Sequence, residues 1–130
     1  MKKRKIGTVS IVVREYDEAI RFYTKKLGFQ LIEDIQLDNK RWVTISPENN
    51  SETSILLAEG TTAEQKKAIG NQTGGRVFLF LQTDNFWRDY NTMKSKEVIF
   101  LEKPREEIYG TVVVFEDLYG NKWDLIEPKK

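Results

Sequence analysis

Hydrophobic and polar positions follow two different periods along this chain, and the switches between them mark its elements. Thr8–Val13 (TVSIVV) is a β-branched run and predicts a strand. Directly after it, Tyr16, Ala19, Ile20, Tyr23 and Leu27 recur at the i, i+3, i+4, i+7 spacing of one helix face. Asp17 and Glu18 suit the positive start of that helix, Lys25 and Lys26 its negative end, and Gly28 a left-handed stop. Phe29–Leu37, Arg41–Ser46 and Thr53–Ala58 predict three more strands, separated by turns at Asp38-Asn39 and Pro47–Ser51. Thr62–Ile69 has the composition of a short helix, and Gly70 to Gly75 is loop-rich. The order then repeats. Arg76–Gln82 predicts a strand, and Asp84 a cap for a helix with Phe86, Tyr90 and Met93 on one face. Val98–Lys103 predicts a strand ended by Pro104, and Glu106-Glu107 falls in a loop, read as a solvated turn with attraction of a cationic ligand as the alternative. Thr111–Glu116 and Lys122–Glu127 predict a hairpin around Leu118–Asn121, where Gly120-Asn121 is strong turn chemistry.

Each half therefore reads β-α-β-β-β, which predicts an α+β fold of two tandem modules, at about 6–60 and 75–128, with a connector at about 61–74. An offset of 68 residues lays Thr8 on Arg76 and Leu56 on Asp124, a pattern-level repeat. Alternation assigns the strand faces. Val9, Ile11 and Val13 oppose Thr8, Ser10 and Val12; Val77, Leu79 and Leu81 oppose Arg76, Phe78, Phe80 and Gln82; Trp123 and Leu125 oppose Lys122, Asp124 and Ile126. The apolar sets are expected under the helices. The mixed sets, free of a helix, are expected to line a pocket or a subunit interface, because adjacent exposed Phe78 and Phe80 are costly on a plain solvent face.

Composition narrows the chemistry by omission. The 130 residues include no cysteine and no histidine. That excludes disulfides, cysteine nucleophiles, serine–histidine triads, histidine proton shuttles and metal sites that need imidazole. Net charge is +1, but Lys2, Lys3, Arg4, Lys5, Lys129 and Lys130 at the ends mask a body with 15 basic and 20 acidic residues. An acidic body offers no face for phosphate backbones, so no nucleic-acid partner is expected and the basic start reads as a solvated terminus. No apolar stretch is long enough to span a bilayer, and the basic start lacks the apolar region of a secretory signal; no membrane partner is expected and the location is read as cytoplasmic.

Two segments carry a resemblance. The first is Val13-Arg14-Glu15-Tyr16-Asp17-Glu18-Ala19-Ile20-Arg21-Phe22-Tyr23 leading to Lys26-Leu27-Gly28-Phe29. The second is Tyr109-Gly110-Thr111 through Phe115-Glu116-Asp117-Leu118-Tyr119-Gly120-Asn121-Lys122-Trp123-Asp124-Leu125. With the paired module pattern they resemble the glyoxalase/bleomycin-resistance/extradiol-dioxygenase (vicinal oxygen chelate) superfamily. The resemblance implies curved mixed sheets whose cups meet across a homodimer. In the enzymes of the family it also implies one divalent metal, ligated from the first and last strands of each module. Carried over, the four ligand positions fall on Thr8, Leu56, Arg76 and Asp124. A weak neutral donor, an alkyl group, a permanent cation and a shortened acid do not make a metal site, so no metal or other cofactor is expected.

Arg76 and Asp124 are expected to face each other, either as a plain salt bridge in the vacated metal position or as a receptor for a ligand anion. Trp42, Phe78, Phe80, Tyr109 and Phe115 are candidate pocket walls, with core or dimer interface as the bland alternative for each, and Thr8 is a polar wall candidate. The leading functional expectation is a metal-free binder of an aromatic or amphipathic small molecule, in a cup at a homodimer interface. A glyoxalase-like lyase or dioxygenase-related enzyme with an atypical site, and a module whose cup is filled by its own side chains, remain open beside it.

Overall fold

The computed structural model describes residues 3–49 and 52–130. The start of the basic N-terminal run and part of the predicted Pro47–Ser51 turn therefore lie outside the described residues. The chain divides into two compact units, the first ending at Ile69 and the second starting at Gly70.

The first unit holds β1 (Thr8–Val13), α1 (Tyr16–Arg21), β2 (Gln30–Gln36), β3 (Arg41–Ser46), β4 (Ser54–Glu59) and α2 (Ala63–Ala68). Its sheet has the order β1-β4-β3-β2, with β1 and β4 parallel and the other pairs antiparallel. Glu15 starts α1: its carboxylate accepts from the backbone N–H groups of Asp17 at 2.8 Å and Glu18 at 3.0 Å, which no helical carbonyl can serve. The helix runs on as one wider π-helical turn over Phe22–Lys26, and Gly28, at φ +72°, stops it as the pattern predicts. Ile11, Val13, Val43, Ile45, Ile55 and Leu57 from one sheet face are buried with Ala19 and Tyr23 of the helix. A reciprocal capping box between Thr62 and Gln65 starts α2.

The second unit repeats the plan with β5 (Val77–Gln82), α3 (Phe86–Ser95), β6 (Ile99–Phe100), β7 (Arg105–Glu107), β8 (Gly110–Glu116) and β9 (Lys122–Pro128). Its sheet runs β5-β9-β8-β6, β5 and β9 being parallel, while β7 pairs β8. The core is a relay of rings: Phe86 stacks on Tyr90 at 5.8 Å, Tyr90 lies 4.7 Å from Phe100, Phe100 lies 6.3 Å from Phe115, and Phe115 stacks on Trp123 at 5.8 Å. The β8–β9 turn is built on the buried Asp117. Its Oδ1 accepts from the N–H groups of Tyr119 and Asn121, and its Oδ2 from Asn121 Nδ2 and Trp123 Nε1. Gly120 supplies φ +96° inside that turn.

Four expectations need correction. Asn85, not Asp84, caps α3, accepting from Arg88 N–H, while Asp84 pairs with the Arg88 side chain. Glu106-Glu107 is strand rather than turn, because charged residues suit a sheet edge open to water. The strand predicted over Val98–Lys103 shrinks to Ile99–Phe100. Finally, a bulge at Phe78 shifts the register between Val77, which pairs Lys122, and Leu79, which pairs Trp123. Val77 therefore shares a face with Lys122, not with Leu79 and Leu81.

The end of α3 carries a local conflict. Glu97 adopts φ +66° as the helix closes through Val98 N–H to Met93 C=O at 3.1 Å, a position that favours glycine. Glu97→Gly is expected to raise unfolding stability by about 0.5 kcal/mol, the relieved strain exceeding the flexibility added to the unfolded chain. Urea denaturation measures this, and an unchanged midpoint would show a compensating contact made by the Glu97 side chain.

Candidate functional site

Each sheet has one face buried with its helix and one face turned away from it, called here the open face. On the open face of the second unit, β9 places Lys122, Asp124 and Ile126; β8 places Glu116, Val114 and Val112 opposite them; and Phe80 of β5 pairs Asp124. Asp124 is 8% exposed and its Oδ1 has no hydrogen-bond partner among the described residues, whereas the adjoining Phe80 is 61% exposed. A buried polar atom without a partner beside a large exposed ring is an unusual pairing, since folded proteins satisfy nearly all such atoms.

The charges around Asp124 come from β7 and the segment that leads into it from β6. Arg105 Nε donates to Glu102 at 2.9 Å and Arg105 Nη1 donates to Glu107. The second Glu102 contact fixes its place, since Oε2 also accepts Val114 N–H at 3.1 Å. Arg105 is raised above its already high ordinary pKa, chiefly by Glu102 and then by Tyr109. Burial pushes the Asp124 carboxyl above the usual carboxylate range; Glu102 adds to that rise and Arg105 opposes it. Arg105 thus acts on Asp124 through space while its directed hydrogen bonds go elsewhere.

On the open face of the first unit, Glu33 Oε1 accepts from Trp42 Nε1 and Thr44 Oγ1, each at 3.0 Å. Ser46, 2% exposed, presents a second buried oxygen without a partner among the described residues. The β3–β4 ladder stops at Val43 and Leu57, and beyond it a cavity of about 420 Å³ opens. Trp42, Leu56 and Ala58 give it apolar lining, and Arg41, Glu59 and Gln65 polar lining. Arg41 is committed: it bonds Asp34 at 2.7 Å and Asp17 at 2.9 Å, and its guanidinium lies 5.2 Å from the Tyr16 ring centroid.

The predicted site residues are therefore dispersed. Phe80 and Asp124 come together. Arg76 does not reach them: it precedes β5, is exposed, and stands four residues from Phe80, roughly 13 Å along an extended strand. The expected Arg76–Asp124 bridge is thus not formed, and the cation near Asp124 is Arg105. Phe115 is fully buried on the helix side against Trp123 and offers no surface to a ligand. Phe78 is the half-buried bulge residue, and Tyr109 is 50% exposed beside the β7–β8 turn. Trp42 lines the first unit's cavity, and Thr8 bonds Ser54 Oγ at 3.2 Å. Glu102, Arg105 and Ser46 escaped the sequence reading; the alternation of charges across Pro104 (EKPRE) was the available signal for the first two.

The metal positions carried over from the family do not fit a divalent ion. Leu56 lines the first cavity as an alkyl group, Thr8 is engaged with Ser54, and Asp124 has the Arg105 guanidinium among its neighbours. Among the described residues no three His, Cys, Asp or Glu side chains gather as a metal cluster.

Two four-stranded or larger mixed sheets, each with a parallel first–last strand pair and a helix on one face, define a paired-module α+β protein. The chain belongs to the Glyoxalase/Bleomycin resistance protein/Dioxygenase superfamily, whose model matches residues 5–125. It is 54% identical over 127 residues to an uncharacterised protein of Shewanella frigidimarina (strain NCIMB 400), covering 96% of this chain and 94% of that one. The crystal structure of UcmS2 is similar with a TM-score of 0.85 at 27% identity, covering 97% of this chain and 99% of the other. That of TnmS3, an antibiotic binding protein from Streptomyces sp. CB03234, has a TM-score of 0.81 at 24% identity, with 99% of each chain covered. No helix among the described residues is long and apolar enough to cross a membrane.

Proposed function

We propose that this protein binds a small aromatic or amphipathic molecule without a metal, on the open face of its second unit, with a second copy of the chain closing the site in a homodimer. The observation that carries this reading is the exposed Phe80 ring beside the buried, unpartnered Asp124 oxygen. Together they offer apolar area and one directional polar contact, the two things a small-ligand site needs. Tyr109 and Phe78 are proposed as further wall residues, and Trp42 and Thr8 as wall residues of the first unit's open face. The antibiotic-binding neighbour supports the fold alone at its level of identity, so the binding reading rests on the site.

Thermal unfolding with chelator, then with nickel, cobalt, zinc, manganese or ferrous iron, and then with a panel of aromatic compounds, tests the proposal. A ligand at a hundred times its Kd adds about 2.7 kcal/mol to the folded state. The expected result is no shift with any metal and a clear shift with one or more aromatics, weakened about tenfold in Phe80→Ser. A metal-dependent shift that Asp124→Ala abolishes would overturn it in favour of a glyoxalase-like lyase or dioxygenase-related enzyme. Sedimentation showing a monomer at all concentrations would remove the homodimer.

A further inference from the structure

We propose that the ligand of the second unit's open face carries a basic nitrogen, an ammonium or amidinium, that donates to Asp124 Oδ1 while its aromatic body lies on Phe80. This rests on the binding reading above and adds the charge and donor class of the ligand.

The first support is the acceptor itself. An ionised carboxylate oxygen can only accept, and Asp124 is nine-tenths buried with nothing among the described residues donating to its Oδ1. The natural complement is a donor brought from outside. The second support is charge. Asp124 and Glu102 set two acidic groups against the one guanidinium of Arg105, whose Nε is bonded to Glu102 and whose Nη1 is bonded to Glu107. The cluster is short of positive charge, and its guanidinium is not free to turn toward Asp124. The other nearby cation is also occupied: Lys122, two residues along β9 on the same face, turns its Nζ to the Gly75 carbonyl at 3.1 Å. Arg76, at four residues' distance along β5, cannot substitute.

The third support is Phe80. It is the ladder partner of Asp124, so both side chains leave the sheet on the same side, one strand spacing apart. A cation seated against Asp124 therefore meets the ring of Phe80 as well, and a positive charge over a ring face is attracted by it. An anionic ligand finds the opposite: the Asp124 and Glu102 carboxylates, beside a guanidinium already bonded to Glu102 and Glu107. A neutral aromatic uses Phe80 but leaves Oδ1 unserved.

A matched naphthalene series separates these cases. 1-Naphthylmethylamine, 1-naphthalenemethanol and 1-naphthoate share one ring body and differ in charge. Each is titrated at neutral pH into wild type, Asp124→Asn and Phe80→Ser, by calorimetry and by following the backbone amides of Phe80, Val114 and Asp124 in two-dimensional NMR. The expected result is an amine Kd about tenfold or more below that of the alcohol in wild type, with naphthoate weakest. In Asp124→Asn the amine is expected to fall to the level of the alcohol, while alcohol binding persists; in Phe80→Ser all three weaken. Equal binding of amine and alcohol, or a preference for naphthoate, overturns the charge assignment and leaves small-molecule binding standing. An amine preference that survives in Asp124→Asn overturns Asp124 as its receptor. No amide shift with any of the three overturns the binding reading on this face, and the inference with it.

Discussion

Asp117→Ala is expected to lower unfolding stability by about 3–5 kcal/mol, a large share of the stability of a small domain. Asp117 is 4% exposed and gathers four donors: Tyr119 N at 3.0 Å, Asn121 N at 2.9 Å, Asn121 Nδ2 at 3.0 Å and Trp123 Nε1 at 3.2 Å. Asn121 is 3% exposed and Trp123 2%, so removing the carboxylate strands buried donors rather than handing them to water. Each stranded donor costs about 1–3 kcal/mol, partly recovered by local relaxation. Asp117→Asn keeps one acceptor oxygen and is expected to lose less. Urea denaturation with fluorescence from the buried Trp123 reads both, and an alanine variant within about 1 kcal/mol of wild type would mean the turn can be satisfied otherwise. This turn is the second of the family-like segments, so the likeness there marks folding chemistry.

Asp124→Asn is expected to act in the other direction, raising neutral-pH stability by about 1 kcal/mol, because an amide is less costly to bury without a partner than a carboxylate. Burial first, and Glu102 second, raise the folded carboxyl above its unfolded value, with Arg105 opposing. Between the unfolded pKa and the raised folded one, the native state holds more protons than the unfolded chain. Stability therefore falls as pH rises through that window and levels off above it. Asparagine removes this group's contribution. Melting curves of wild type and variant from pH 3.5 to 7.5 should converge at the acid end and separate toward neutrality. Parallel curves across the whole range would show that the Asp124 carboxyl ionises no differently in the folded chain. A residue whose removal stabilises the resting protein is the expected mark of one kept for binding.

Much of the fold was legible because period carries it. Tyr16 through Leu27 and Phe86 through Met93 announce helices by spacing alone, and the β-branched runs announce strands. What periodicity cannot carry is a change of count within a strand. Phe78 has the same chemistry as its neighbours, so nothing in VFLFLQ marks it as the extra residue, and the face of Val77 was lost with it. Phe115 was misplaced for a different reason. Alternation assigns Trp123 to the helix side, and Phe115 is its partner across the hairpin, but the pairing needs the register as well as the turn. The site was half legible. Asp124 and Phe80 follow from alternation, whereas Glu102 and Arg105 converge on Asp124 only because the chain folds back through β7, a strand that reads as a polar turn.

The bulge at Phe78 also changes how one half of the molecule can be used as a guide to the other. Leu56 and Asp124 lie 68 residues apart, yet their ladder partners on the preceding parallel strands, Ser10 and Phe80, lie 70 apart. A constant offset therefore equates Thr8 with Arg76 when the pairing equates Ser10 with Phe80. Any alignment of the two halves therefore needs a two-residue gap after β5 and before β9, and substitutions scanned along β1 transfer to the part of β5 past the bulge at an offset of 70.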